Sequence, residues 1–99
     1  MAGPNEPSAL IGTGVLRTTR GDVLLVGASY RLTVRSTGNG LLEPVEGTIL
    51  NPPVPWGFPV TAIGADVVLE MPDGRRWECV LLDHRGRLTA RGSRFSYLT

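Results

Sequence analysis

Gly or Pro interrupts nearly every stretch of this chain that is long enough for a stable helix. Thirteen Gly and eight Pro stand among 99 residues, and no window carries an apolar stripe at i, i+3, i+4, i+7. What survives between the breaks is a series of runs bounded by turn-forming clusters, which is the pattern of strands. Strands are expected at about residues 9–18, 23–35, 41–50, 60–71, 75–83 and 87–98. Gly27 and Gly64 fall inside two of the longer runs, where a glycine marks a bulge or a sharp bend. The expected fold is all-β: a small antiparallel barrel or sandwich of six to seven strands over residues 9–99. A loose tail, residues 1–8, precedes it.

A domain of this size buries roughly 60–65% of the surface its unfolded chain exposes, so it holds one modest core. Hydrophobic residues make up 41% of the chain, which excludes a disordered polymer. Apolar runs such as Val23-Leu24-Leu25-Val26 are far too short for a membrane-spanning helix. The single cysteine, Cys79, excludes an internal disulfide framework and any zinc site built on several thiolates. Residues 1–8 lack the basic and apolar regions of a secretory signal, and a cytoplasmic protein is expected. All ten basic residues are Arg, a bias that fits a GC-rich bacterial genome.

The most readable segment is Met71-Pro72-Asp73-Gly74-Arg75. A two-residue turn at Asp73-Gly74 would set Leu69 opposite Glu78 and mix apolar with charged residues on both faces. A three-residue loop, with Pro72 opening a type I turn and Gly74 left-handed, sets Leu69 opposite Trp77 and Val67 opposite Cys79. Register follows the hydrophobic pattern, because a one-residue slip turns the whole apolar set outward. The three-residue loop is therefore expected. A four-residue turn at Asp83–Gly86 then pairs Leu81 with Leu88 and Cys79 with Ala90. On the outer face Glu70 meets Arg76, and Glu78 meets Arg91. Ser36-Thr37-Gly38-Asn39-Gly40 reads as a further hairpin loop.

Charge is uneven. Residues 74–99 hold six Arg against Glu78 and Asp83, whereas residues 1–73 hold four Arg against seven acids. Arg75, Arg85, Arg87 and Arg94, with Phe95 and Tyr97 nearby, form a candidate anion-binding set for single-stranded nucleic acid or a nucleotide. The net charge of +1 and the pI near 8.0 argue against a nucleic-acid domain. A second candidate lies at Arg31-Leu32-Thr33-Val34-Arg35, which resembles the RxxxR half of the motif with which PilZ domains, also small β-barrels, bind cyclic di-GMP. The resemblance covers five residues and implies that Arg31 and Arg35 grip phosphates. The family's Asp/Asn-x-Ser-x-x-Gly loop has no counterpart downstream, and its Arg pair precedes the barrel rather than lying in a strand.

Catalytic constellations are thin. Cys79 and His84 are the only residues of their kinds, and about 16 Å of strand separates them, against a hydrogen-bond reach of about 3 Å. A core thiol and a turn histidine are expected, with no metal site and no cofactor. Gly12, Gly14, Gly38 and Gly40 match no phosphate-binding loop. Arg20-Gly21-Asp22 reads as a hairpin turn. The most unusual stretch is Pro52-Pro53-Val54-Pro55-Trp56-Gly57-Phe58-Pro59, whose prolines enforce an extended path. Its two rings either fold back to cap one end of the barrel or form a contact surface. The sequence reading is a non-enzymatic module that binds a protein partner or another copy of itself through Trp56 and Phe58. The alternative is an anion binder using the arginines above.

Overall fold

The fold is that of a computed structural model, which describes residues 7–36, 42–53, 57–91 and 96–97. It is a closed, antiparallel, six-stranded β-barrel. The strands are β1 (Pro7–Thr18), β2 (Val23–Ser36), β3 (Leu42–Ile49), β4 (Asp66–Glu70), β5 (Arg75–Leu81) and β6 (Arg87–Ala90), with a short β7 (Ser96–Tyr97) beside β5. β1–β2–β3 form one meander and β4–β5–β6 a second. Two seams close the wall, β1 with β4 and β3 with β6. Closure removes most of the unpaired strand edges that an open sheet would present.

The expected hairpin registers are those observed. Leu69 faces Trp77 and Val67 faces Cys79. The Met71 N–H donates to the Arg75 carbonyl at 2.8 Å, closing a three-residue loop in which Gly74 has φ +92°. Leu81 faces Leu88 and Cys79 faces Ala90 across the four-residue turn. Gly27 (φ +65°) is a bulge, skipped between the pairs Gly14–Ala28 and Val15–Val26. Asn51 secures that bulge: its side-chain amide donates to the Gly27 carbonyl at 3.0 Å, and its Oδ1 accepts the Ser29 N–H at 2.7 Å.

Three expectations change. Strand β1 starts at Pro7, which pairs with Arg35, two residues before the expected start at residue 9, and residues 1–6 of the expected tail lie outside the described residues. Residues 60–71 are not one strand. Val60–Ala62 form a 3₁₀ turn, in which the Ala62 N–H donates to the Pro59 carbonyl, and the chain bends at Gly64 (φ +81°) before β4. The turn tucks Ala62 into the core. The last expected strand is also split. β6 ends at Ala90, and Ser96 stands opposite Arg76, where an unbroken strand would place residue 93. The loop at residues 37–41 lies outside the described residues.

The core gathers Leu16, Leu32, Leu69, Trp77, Leu81 and Leu88, all fully buried. Phe58 joins them at 2% exposure. Its N–H donates to the His84 carbonyl at 2.9 Å, which ties the backbone at Phe58 to the β5–β6 turn and seats the ring in the core. Gly47 on β3 leaves room for Leu32 and Trp77, whose side chains a Cβ at this position would meet.

Candidate functional site

A β-strand alternates its side chains between core and exterior, so the outer wall is read from the register of the ladders. Tyr30, Leu32 and Val34 of β2 are buried, which turns Arg31, Thr33 and Arg35 outward. On β3, Ile49 is buried and Gly47 lies over the core, which turns Thr48 and Glu46 outward. On β6, buried Leu88 turns Arg87 and Thr89 outward.

The ladders then place these groups in two rows across three strands. Arg31 faces Thr48, and Thr48 faces Arg87. In the next row Thr33 faces Glu46, and Glu46 faces Thr89. With strands about 4.8 Å apart, the backbones of Arg31 and Arg87 lie about 10 Å apart, and two long side chains can close on one anion above Thr48. A groove of about 350 Å³ runs over the two rows, with half-exposed Leu82 at its side.

The pairing of the arginines is uneven. Arg17 donates to Glu70 at 2.7 Å, and Arg76 approaches the same carboxylate at 4.0 Å. Arg75 is tied to Asp73 at 2.7 Å, and the hydrogen bonds from Arg75 hold the Asp73 carboxyl below its ordinary pKa. Arg35 lies 3.9 Å from Glu43, and Arg91 lies 3.4 Å from Asp66. Among the described residues, neither Arg31 nor Arg87 has a carboxylate within ion-pair distance, and neither does Glu46 have a cation. Both arginines are exposed.

Comparison with protein-family models, with curated proteins and with solved structures gave no match. The reading of the site therefore rests on its own chemistry.

The residues singled out in the sequence fare differently. Phe58 is buried in the core, and Trp56 lies outside the described residues. The arginine set does not form one patch. Arg75 sits at the β4–β5 hairpin and Arg85 in the β5–β6 turn, separated by β5, whose seven residues span about 20 Å. Arg87 belongs to the groove, and Arg94 and Phe95 lie outside the described residues. Arg31 and Arg35 do share the outer face, but Arg35 is engaged with Glu43, and Arg31 lies in one row with Arg87, with Thr48 between them. Sequence reasoning missed Thr33, Glu46, Thr48 and Thr89. Their signal, outward polar positions on alternating strands, becomes specific only once the β3–β6 seam is known.

Cys79 lies on the inner face of β5, where burial pushes its thiol up to about 12, and His84 is exposed in the turn. They form no dyad. Among the described residues no three His, Cys, Asp or Glu side chains group as a metal site, and no helix is long and apolar enough to cross a membrane. A second cavity of about 390 Å³ lies between the β1–β2 turn and the 3₁₀ turn. Arg20 and Asp22 stand on its rim, and Leu24, Ala62 and Val67 are among its apolar walls.

Proposed function

We propose that this barrel is a non-enzymatic binding module that holds a phosphate-bearing ligand in the groove over β3. Arg31 and Arg87 make the anion contacts, and the Thr48 hydroxyl lies between them. The observation that carries the reading is the presence of two exposed guanidinium groups on either side of Thr48, both without an ion-pair partner among the described residues. Guanidinium is the group best matched to phosphate oxygens, since its planar fork donates two parallel hydrogen bonds. Mounting it on ladder-paired strands fixes the spacing before the ligand arrives, which lowers the ordering cost of binding. A cytoplasmic setting suits this reading, with the one thiol held inside the core.

Titration calorimetry with phosphate and phosphate esters at low salt tests it. Binding should weaken at least tenfold in Arg31→Ser and in Arg87→Ser, while Arg85→Ser, outside the groove, should bind as the parent does. No association with any phosphate compound, or equal binding by all three variants, would overturn the reading.

Self-association keeps one observation in its favour. Ile11 and Val26 stand 68% and 72% exposed on the outer side of the β1–β2 hairpin. Sedimentation of the chain against Ile11→Ser/Val26→Ser decides it, because a dimer built there should fall apart in the double variant.

A further inference from the structure

Resting on the phosphate reading, we propose that the ligand is a phosphorylated sugar. Its phosphate sits on the Arg31–Thr48–Arg87 row and its hydroxyls on the Thr33–Glu46–Thr89 row. The two rows lie two residues apart along each strand, a spacing of about 6.7 Å. That is about the span from a phosphate ester to the hydroxyls on the far side of a five- or six-membered sugar ring.

The second row decides the class. Glu46 is an exposed carboxylate side chain that lacks a cation partner among the described residues. A carboxylate accepts hydrogen bonds and repels anions. A bare phosphate gains from the two arginines and is penalised by Glu46. A ligand carrying hydroxyls on the side away from its phosphate gains from both rows, since Glu46 accepts hydrogen bonds from them and the hydroxyls of Thr33 and Thr89 donate or accept beside it. The charge order across the groove also fixes orientation, with phosphate toward Arg31 and Arg87 and hydroxyls toward Glu46.

The test is a crossed one on the full chain: inorganic phosphate, glycerol phosphate, ribose 5-phosphate and a short oligoribonucleotide, each titrated into the parent and into Glu46→Gln. Ribose 5-phosphate should bind the parent at least tenfold more tightly than inorganic phosphate does. In Glu46→Gln it should weaken about tenfold, the fold-change of one hydrogen bond to a charged group. Inorganic phosphate should tighten two- to threefold in the same variant, as expected for removing a like charge about 7 Å away in water. Circular dichroism checks that the variant is folded. Whichever of ribose 5-phosphate and the oligoribonucleotide binds more tightly places the same chemistry in a free sugar phosphate or in a nucleic-acid backbone. Equal binding of inorganic phosphate and ribose 5-phosphate, or the same shift for both in Glu46→Gln, overturns the sugar assignment and leaves the phosphate reading standing. No binding in any arm overturns both.

Discussion

Trp77 is fully buried, yet its indole Nε1–H has no hydrogen-bond partner among the described residues. The two facts pull in opposite directions and can be separated by substitution. Trp77→Ala removes the whole ring from the centre of the core and should cost about 3–5 kcal/mol, a large part of the roughly 5–15 kcal/mol that holds a domain of this size together. Trp77→Phe removes two ring carbons, about 1.6 kcal/mol at roughly 0.8 kcal/mol each. The space left behind adds up to about 1 kcal/mol. Against these losses, the same change deletes a buried donor that costs about 1–3 kcal/mol when unsatisfied. The net cost of Trp77→Phe should therefore be about 1.6 kcal/mol or less. Urea unfolding followed by far-UV circular dichroism measures both variants, with the requirement that the denaturant slope stays constant. A loss of about 3 kcal/mol or more in Trp77→Phe would refute the reasoning, because it would mean that the indole N–H is satisfied in the folded chain.

Phe58→Ala should lower stability by about 3–5 kcal/mol and leave the oligomeric state unchanged in sedimentation, since the ring is buried in the core. Cys79 predicts a pH dependence. Its folded pKa of about 12 lies above the ordinary 9.0, so the fold favours the neutral thiol; the stabilisation is complete below pH 9 and is lost as pH rises toward 12, at about 1.4 kcal/mol per unit. Urea midpoints between pH 8 and 11 should fall more steeply for the parent than for Cys79→Ala.

The β4–β5 hairpin was legible because register there is a binary choice. Only one pairing of Leu69 and Val67 with Trp77 and Cys79 keeps the apolar set on one face, and Gly74 supplies the positive φ that this loop needs. The facing of Glu70 and Arg76 followed from the same register. The partner of Arg91 did not. Its backbone N–H does donate to Glu78, but its guanidinium turns to Asp66, because a long side chain at a strand end chooses among several carboxylates. Residues 60–65 misled for a different reason. Val60, Ala62 and Ile63 carry apolar character that a strand would also show, and the prolyl segment before them with the left-handed Gly64 after them turns it into a 3₁₀ corner. Grouping Arg75, Arg85, Arg87 and Arg94 followed closeness in sequence, whereas antiparallel strands send sequence neighbours to opposite ends of a barrel.

The candidate site was the least legible part, and the reason is topological. Arg31 belongs to the first meander and Arg87 to the second, and only the β3–β6 seam brings them into one row. That seam consists of three ladder pairs among the described residues: Glu46–Thr89, Gly47–Leu88 and Thr48–Arg87. The outer members of the first and last pairs supply Glu46, Thr89, Thr48 and Arg87 to the groove, while the middle pair faces the core, where Leu88 is buried and Gly47 admits Leu32 and Trp77. Site and core are thus two faces of the same three pairs. A ligand that contacts both meanders binds the closed barrel and loses its site when the seam opens, so it must stabilise closure. At a concentration of 100 times its dissociation constant that linkage is worth about 2.7 kcal/mol. It would act at a seam shorter than β1–β4, where four pairs hold the other side of the wall.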